Sequence, residues 1–380
     1  MSSPRPKLLY LVTEDWYFWS HRLALARAAR GAGYDVVVAT RVNALGDAIR
    51  AEGFGLAALG WRRRSRNPFR ELLGLNEIIR LYRREKPDIV HHIAMKPVVL
   101  GTIAARLSDV PTVVNGIMGL GFAFSLANDG KRVWRTLLCK ILARILVHPS
   151  AWFIFQNTDD REVLCQQLQI EAKQTTLIRG SGVDIERFNV LEFPPEGQPT
   201  VAVVSRMIGI KGIDTVIAAH RAARNAGAPF RLLLAGEPDS ANPTSFTAVQ
   251  LSAWGAEPGV EWLGRVDDVR TVWHQAHIAV LAPRGGEGVP LSLIEAAACG
   301  RPIVATDVPG CREIVAPGKN GILVAPDSPG ALANAIGKLA RDVEMRARLA
   351  AAGRIIVGEG FSERSVVTNT LAFYDTARSA

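Results

Sequence analysis

The sequence is poor in cysteine, and its four cysteines follow no pairing pattern. Cys139, Cys165, Cys299 and Cys311 form no Cys-x2-Cys pair, and no His-x3-His partner accompanies them. Disulfide-rich secreted domains and structural zinc sites carry such patterns. The cysteine usage therefore argues against both classes and favours a reducing, cytoplasmic compartment.

Long apolar runs are also missing. No stretch approaches the roughly 18 to 20 uninterrupted apolar residues of a membrane-spanning helix. Lys140, Arg144 and His148 interrupt the best candidate, and the N-terminal run of residues 8–12 is too short for the core of a signal peptide. We therefore expect a chain that does not cross a bilayer.

Several binding signatures are absent as well. Neither half has Gly-x-Gly-x-x-Gly after its first predicted strand, which argues against a dinucleotide dehydrogenase. No zinc finger, RNP-like motif or helix-turn-helix accompanies the basic residues, so nucleic acid is the least favoured partner. No Asp-x-Asp pair ends a predicted strand, and we expect neither a metal nor another cofactor to be required.

The charge that is present is unevenly distributed. The formal net charge is +9, and residues 60–150 alone carry 16 basic and 6 acidic side chains. A basic patch of this kind indicates anionic lipid or a phosphorylated substrate. Its densest part interleaves cations with aromatic rings, and we predict that it docks on a membrane surface through Trp61, Arg62, Arg63, Arg64 and Arg66.

Short apolar runs alternate with helical patterns along the whole chain. The alternation stops at the proline-rich segment 191–199 (LEFPPEGQP) and then restarts. Such alternation predicts parallel sheets covered by helices on both faces. We therefore predict an α/β protein with two doubly wound domains, 1–190 and 200–362, which are joined by the 191–199 linker and face each other across a cleft. Residues 363–380 are expected to return as a helix to the first domain.

The densest motif is the segment 284–313. A predicted strand runs there into a loop that contains three glycines, Gly285, Gly286 and Gly288. The helix that follows begins near Leu291 and Ser292, and free backbone N–H groups at such a start bind anions. This part of the sequence predicts a phosphate-binding loop.

Four charged side chains accompany that loop. Glu287 lies in it and Glu295 follows eight residues later, so the two carboxylates are placed to hold two parts of one polyhydroxylated ligand. Arg206 and Lys211 follow the first strand of the second half. An arginine fork and a lysine point charge can hold the same phosphate group. The pattern is typical of a diphosphate clamp.

Together these motifs resemble the retaining glycosyltransferases of family 4, which have the GT-B fold of two Rossmann-like domains. The resemblance covers essentially the whole chain and includes the flanking RPIVATDVPG. It implies that Arg206 and Lys211 hold the diphosphate of a nucleotide-sugar donor, that Glu287 contacts the transferred sugar, and that Glu295 binds the ribose. It also implies further donor contacts, from Gly288, Leu291, Ser292, Arg265 and Val266.

The first half resembles a bacterial subgroup that extends sugars on undecaprenyl diphosphate. The resemblance lies in the segments EDW, WSHR, HIAMKP and NGIMGLGF. It implies acceptor contacts by Glu14, Asp15, Trp16, His21, His92, Lys96, Asn115 and Gly119. For His92 the alternative is a strand-end residue packed beneath the loop. The histidine that many relatives carry after the fifth strand is absent here, so the group beside the anomeric carbon stays unassigned.

The expected function is transfer of a sugar, an N-acetylhexosamine, from a UDP-sugar to a polyprenyl-diphosphate-linked glycan with retention of configuration. The enzyme would work in the cytoplasm, peripherally on the inner face of the cytoplasmic membrane. One alternative is a nucleotide-sugar epimerase of the same fold, which has no use for a basic aromatic patch. Another is a non-catalytic sugar-nucleotide-binding partner, against which the intact set of four charged residues argues.

Overall fold

A computed structural model describes residues 5–61, 67–119 and 132–380, the side chains of 132–137 excepted. The chain divides into two compact units, one of residues 1–181 with 364–380 and the other of residues 182–363. Each unit contains one parallel β-sheet with helices packed on it. In the part of the chain that the structure describes, no helix is both long and apolar enough to cross a membrane.

The sheet of the first unit has seven parallel strands in the order β3-β2-β1-β4-β5-β6-β7. The strands are β1 Lys7–Glu14, β2 Asp35–Arg41, β3 Gly55–Ala58, β4 Ile89–Ile93, β5 Thr112–Ile117, β6 Ala151–Phe155 and β7 Thr175–Leu177. The helices are α1 Asp15–His21, α2 Leu23–Gly31, α3 Gly46–Ala51, α4 Pro68–Glu85, α5 Met95–Arg106, α6 Arg132–Leu146 and α7 Thr158–Leu168.

The strands of this sheet are apolar on both faces because helices cover both. Successive side chains of a strand point to opposite faces. In β1, Leu8 and Tyr10 pack into one core cluster, whereas Leu9 and Leu11 pack into another. This is the near-continuous apolar pattern of a buried parallel strand, and it is why the sequence reads as short apolar runs.

The second unit repeats the architecture with six parallel strands in the order β10-β9-β8-β11-β12-β13. The strands are β8 Thr200–Val204, β9 Arg231–Ala235, β10 Val260–Gly264, β11 Ile278–Leu281, β12 Ile303–Thr306 and β13 Gly321–Val324. The helices are α8 Ile213–Asn225, α9 Ala248–Gly255, α10 Arg270–Gln275, α11 Leu291–Ala298, α12 Pro309–Ile314, α13 Pro329–Arg341 and α14 Val343–Gly360.

The last helix, α15 (Glu363–Ser379), packs on the first unit. Val366, Phe373 and Tyr374 belong to the core cluster that contains Tyr10 of β1. The hydroxyl of Tyr374 lies 2.6 Å from Nδ1 of His91 in β4. The helix is therefore an integral part of the first sheet's cover, although it follows the second unit in the chain.

The segment predicted as a linker lies inside the second unit instead. The chain enters that unit at residue 182, and Val183 and Phe188 already lie in its core. The backbone N–H of Leu191 donates to the carbonyl of Cys299 at 3.2 Å, just beyond α11. The prolines of 191–199 thus mark an irregular segment attached to the second sheet, and the boundary precedes it.

Candidate donor and acceptor sites

The glycine-rich loop of the second unit connects the end of β11 to the start of α11. Gly285 and Gly286 have φ values of 120° and 71°, a region of conformational space that favours glycine. A Cβ at Gly310, at the start of α12, would lie 1.7 Å from the carbonyl oxygen of Gly288. The loop is therefore held by close backbone-to-backbone packing, which fixes Gly288 beside the first turn of α12.

Lys211 and Glu287 are direct neighbours. The Nζ atom of Lys211 lies 2.7 Å from Oε2 of Glu287, and the two side chains are only 12% and 17% exposed. Gly212 makes this approach feasible, because its φ is 67° and a Cβ there would lie 1.8 Å from the carbonyl oxygen of Ala282. The turn that carries Lys211 is thus pressed against the end of β11, where the glycine-rich loop begins.

Arg206 is held by a different carboxylate. It follows β8, and its Nη1 atom lies 2.6 Å from Oδ2 of Asp239, which follows β9. Ser245 supports Asp239, since its hydroxyl accepts a hydrogen bond from the Asp239 backbone N–H at 2.9 Å. Both predicted clamp cations therefore lie at the carboxyl edge of the second sheet, each paired with its own acid. Doubly wound sheets bind their ligands at this edge.

Arg284 ties the two loops of this site together. Its backbone N–H donates to the carbonyl of Ile210 at 2.9 Å, and its Nη1 atom donates to the carbonyl of Gly209. Its Nη2 atom donates to Asp214 at 2.9 Å, at the start of α8, and its Nε atom to Asp327 at 2.6 Å. Arg284 thus ties the turn that carries Lys211 to the start of the glycine-rich loop.

Glu295 lies in α11, partly shielded from solvent. Burial raises the pKa of its carboxyl to about 8, against a smaller opposing effect of Arg187 and a supporting effect of Asp268. Within the described residues nothing donates a hydrogen bond to this carboxyl. A desolvated carboxyl without a protein partner is suited to receive hydroxyl donors from a ligand.

The other predicted donor residues lie at the same edge of the sheet. Leu291 and Ser292 form the first turn of α11 and are partly exposed. Arg265 follows β10, is exposed, and pairs with Asp267 at 3.3 Å. Val266 packs against the core of the second unit, so any contact it makes with a ligand comes from its remaining exposed surface.

In the first unit, Asp15 braces a loop instead of facing solvent. Its carboxylate accepts hydrogen bonds from the backbone of Asn43 at 2.6 Å and of Leu45 at 3.0 Å. Burial works against ionisation of Asp15, but these hydrogen bonds outweigh it and lower the pKa. Glu14 is also buried and accepts from the Asn43 side chain at 3.0 Å. The predicted acceptor contact through the Asp15 carboxylate is therefore replaced by a structural role.

His92 and Asn115 form part of an internal network. Nδ1 of His92 lies 2.8 Å from Oδ1 of Asn115, and the hydroxyls of Tyr82 and Thr102 complete the group. Both residues are fully buried, and burial lowers the pKa of His92 to about 4, so the ring is neutral. A Cβ at Gly101 would lie 2.5 Å from the His92 ring. The acceptor prediction for these two side chains is wrong, because α5 covers them.

Trp16 and His21 of α1 lie at the surface. The ring of Tyr17 stacks on His21 at a centroid distance of 4.2 Å and meets the edge of Trp16 at 5.8 Å. The Ser20 hydroxyl lies 2.6 Å from Nδ1 of His21. Aromatic rings with adjacent polar atoms suit the apolar faces and hydroxyls of a sugar, and the acceptor role of these two residues stays a prediction.

Trp61 and Lys96 interact with each other. The Lys96 ammonium lies 5.7 Å from the centre of the Trp61 ring and 2.8 Å from Oε1 of Glu71. Trp61 is only 5% exposed, so the prediction that its ring settles in a membrane interface is wrong. The other predicted membrane residues, Arg62, Arg63, Arg64 and Arg66, lie outside the described residues. Gly119, with a φ of 105°, ends the described range that follows β5.

Two charged residues of this candidate site were not predicted from the sequence. Asp239 and Arg284 carry charges beside glycines and prolines, a context typical of solvated loops. Arg284 does directly precede the glycine-rich loop, which is the one signal that sequence analysis could have used. Its partners come from two separate segments, residues 209–215 and Asp327, and only the tertiary structure brings those together.

Comparison with family models assigns both units. The model of "Glycosyl transferases group 1" matches residues 198–342, and that of "Glycosyl transferase 4-like" matches residues 7–156. The two matches fall on separate units of the fold, so neither unit is left to another family.

Individual relatives agree with this assignment. A Campylobacter jejuni N,N'-diacetylbacillosaminyl-diphospho-undecaprenol alpha-1,3-N-acetylgalactosaminyltransferase is 24% identical over 87% of this chain and 88% of its own. An Escherichia coli UDP-Gal:alpha-D-GlcNAc-diphosphoundecaprenol alpha-1,3-galactosyltransferase is also 24% identical, over 72% and 71%.

Solved structures match the fold over nearly the whole chain. A glycosyltransferase from Rickettsia africae superposes with a TM-score of 0.79 at 17% identity, covering 99% of both chains. Anabaena HepE in complex with UDP and glucose gives a TM-score of 0.77 at 17% identity, covering 97% of this chain and 99% of its own. With both family models matched and this fold shared, the chain belongs to the group 1, family 4-like retaining glycosyltransferases of GT-B fold.

Proposed function

We propose that this glycosyltransferase moves an N-acetylhexosamine from a UDP-sugar to a glycan carried on a polyprenyl diphosphate. The two relatives described above support the acceptor class, since both are named for undecaprenyl-diphosphate-linked substrates. The donor site supports a nucleotide diphosphate, because it combines two cations with a glycine-rich loop and a helix start. The work would belong to polysaccharide assembly on the cytoplasmic face of a membrane.

The reaction breaks the bond between the anomeric carbon and the donor phosphate oxygen, and the oxygen of an acceptor hydroxyl forms the new bond on the same face. The departing diphosphate takes the electron pair of the broken bond and the hydroxyl proton. Negative charge builds up on the departing diphosphate, so preorganised cations lower the barrier. Lys211 and Arg206 supply that charge in this proposal, and no metal ion is needed. Glu287 would orient the sugar and Glu295 the ribose.

The observation that carries the proposal is the Lys211–Glu287 pair. A phosphate-binding cation and a sugar-binding carboxylate must be within one ligand's length of each other, and these two are 2.7 Å apart. On binding, the diphosphate would replace Glu287 as the partner of the Lys211 ammonium. The carboxylate would then accept a hydrogen bond from a hydroxyl of the transferred sugar.

A donor panel tests this proposal. The protein is incubated with UDP-GlcNAc, UDP-GalNAc, UDP-Glc, UDP-Gal or GDP-Man, with and without a polyprenyl-diphosphate-linked saccharide. We expect UDP release from an N-acetylhexosamine donor only when the acceptor is present, and no change on adding a chelator. Interconversion of free UDP-sugars without the acceptor would favour an epimerase, and binding without any turnover would favour a non-catalytic partner.

We also propose that the enzyme docks on an anionic membrane through the start of α4. Phe69, Leu72 and Leu73 occupy the first two turns of this helix and are 76%, 63% and 69% exposed. Three large apolar side chains in one exposed cluster are costly in water. They can enter the interfacial region of a bilayer, which is the role originally predicted for Trp61.

The basic residues around this apolar cluster favour an anionic membrane surface as its partner. Arg70 and Arg80 are exposed on the same helix, and four of the five residues 62–66 are arginines. Helix α6 has four basic and no acidic residues, and α5 packs against both α4 and α6. Each basic residue near an anionic leaflet contributes about 1 kcal/mol, and salt screens this attraction.

Liposome sedimentation tests the docking surface. The triple variant Phe69→Ser, Leu72→Ser and Leu73→Ser should lose binding to phosphatidylglycerol vesicles and activity on acceptor in those vesicles, with UDP affinity unchanged. The quadruple change of Arg62, Arg63, Arg64 and Arg66 to Ser should do the same at low salt. A matched control is Val249→Ser with Ile355→Ser, two exposed apolar residues of the second unit. Unchanged vesicle binding by both test variants would reduce the patch to a solvated surface.

A further inference from the structure

Arg22 is a buried cation in the first unit. It lies between α1 and α2 and is only 4% exposed. Its backbone N–H donates to the carbonyl of Phe18 at 2.8 Å, and its carbonyl accepts from the N–H of Ala26 at 2.9 Å. These two bonds hold the residue at the junction of the helices, so the position of its side chain is set by the fold.

Among the residues that the structure describes, the guanidinium of Arg22 has no anionic partner. Its Nη2 atom donates to the thioether sulfur of Met118 at 2.7 Å, and its buried Nε atom has no hydrogen-bond acceptor among the residues that the structure describes. No carboxylate of the described chain pairs with it. A thioether is a weak acceptor, and a buried charge without a counter-ion destabilises the fold.

The polar groups that act on Arg22 across the core do not compensate its charge. They are Tyr10, His91 and Tyr374. Nδ1 of His91 lies 2.6 Å from the Tyr374 hydroxyl, which in turn donates to the Tyr10 hydroxyl at 3.4 Å. Burial raises the pKa of both tyrosines and lowers that of His91, so all three are neutral near pH 7. The positive charge therefore remains available to a ligand.

A second donor meets the same sulfur atom. Nε2 of Gln156 lies 3.0 Å from Sδ of Met118. Met118 follows β5 and Gln156 follows β6, so the group lies at the carboxyl edge of the first sheet, where doubly wound domains bind ligands. Met118 is only partly buried, and its unbranched side chain adapts readily. An anionic oxygen in place of the sulfur would accept from both Arg22 and Gln156.

We propose that Arg22 binds a phosphate group, with Gln156 as second donor and the Met118 side chain displaced. The proposal rests on the proposed function for the origin of that phosphate. It is one of the two diphosphates of the reaction, on the lipid-linked acceptor or on the nucleotide-sugar donor. Both sources present the same chemical group, a phosphate, and measurements on an Arg22 variant distinguish them.

The first measurement uses inorganic pyrophosphate as the probe. In an Arg206→Ala, Lys211→Ala background, which removes the diphosphate clamp of the second unit, pyrophosphate should raise the melting temperature of the protein with Arg22 intact and of its Arg27→Gln variant, but not of its Arg22→Met variant. Arg27 is the matched control, an arginine of α2 that already pairs with Glu52 at the surface. Because Arg22→Met removes an uncompensated buried charge, the ligand-free variant should be at least as stable as the wild type. Equal stabilisation of both variants by pyrophosphate would overturn the proposal.

The second measurement separates the sources. If the site binds the acceptor diphosphate, Arg22→Met raises KM for the polyprenyl-diphosphate acceptor by on the order of 10- to 100-fold. UDP affinity and the rate with a neutral alkyl glycoside acceptor then stay unchanged. If it binds the donor, UDP affinity falls instead. An equal loss with both acceptors, at unchanged UDP affinity, would show a purely structural role and overturn the proposal. Absence of transfer by the wild type would contradict the proposed function alone, because the pyrophosphate result stands without it.

Discussion

Glu295 should destabilise the ligand-free enzyme at neutral and alkaline pH, and Glu295→Gln should remove that cost. The folded protein holds the pKa of this carboxyl at about 8, whereas its ordinary value is 4.5. Between those two values the folded state keeps a proton that the unfolded chain has released. Stability therefore falls as pH rises through this window, and it is constant for this group below and above it.

The magnitude follows from the width of the window. Each pH unit costs about 1.4 kcal/mol, so the destabilisation reaches about 5 kcal/mol once the pH exceeds about 8. For a unit of this size the free-energy difference corresponds to a shift in melting temperature on the order of 10 °C. Glu295→Gln should thus melt higher than the wild type near pH 9 and at the same temperature near pH 4.

Calorimetric melting across this pH range, without ligand, is the assay. Glu359→Gln is the control, because Glu359 is an exposed carboxylate on α14. The same Glu295→Gln protein should bind UDP more weakly, since the ribose would lose its acceptor. A gain in stability with a loss of ligand affinity is the signature of a functional site. A difference between Glu295→Gln and wild type that does not vary with pH would refute the reasoning.

Three further predictions concern the donor site. Arg206→Ala and Lys211→Ala should each lower transferase activity by more than ~100-fold, as expected for loss of a charge that stabilises the leaving group, whereas Arg221→Ala on α8 should not; near-normal turnover by either folded variant would remove the clamp. Glu287→Gln should lower turnover without weakening UDP binding, because the change leaves Lys211 charged and removes its competing acid; calorimetric titration that showed weaker UDP binding would contradict this. Arg284→Lys should lower kcat by about 10-fold, since one ammonium cannot reach every partner of the guanidinium, and it should have no further effect in a Lys211→Ala background; additive losses in that double-mutant cycle would show that Arg284 does not act through Lys211.

The residues of this candidate site stand out in the sequence, but the pairs that they form do not. Arg206, Lys211, Glu287 and Glu295 stand out because glycines, a helix start and a fixed spacing surround them. The sequence does not indicate that Lys211 meets Glu287, 76 residues away, or that Asp239 holds Arg206. These pairings depend on which strand ends are adjacent in the sheet, which is a property of topology.

For some predicted acceptor residues, the sequence indicated a binding role and the structure shows a buried side chain. His92, Asn115 and Asp15 belong to segments that resemble a known subgroup, yet α5 or a neighbouring loop covers their side chains. The sequence pattern of a polar residue at a strand end is the same whether its side chain faces a ligand or the buried face of a helix. Burial decides between the two.

The sequence by itself determined the fold class, through the alternation of apolar runs with helical patterns and the prolines and glycines between them. Strands that are buried on both faces must be apolar throughout, and their connecting helices must be amphipathic. The domain boundary was decided by the tertiary structure, since Val183 and Phe188 enter the second core ahead of the proline-rich segment. The charge of Arg22 is visible in the sequence, but the sequence does not show that no carboxylate within residues 5–61, 67–119 and 132–380 pairs with it. An unpaired buried cation exists only where a folded chain has excluded both water and carboxylates from it, and no local pattern encodes that exclusion.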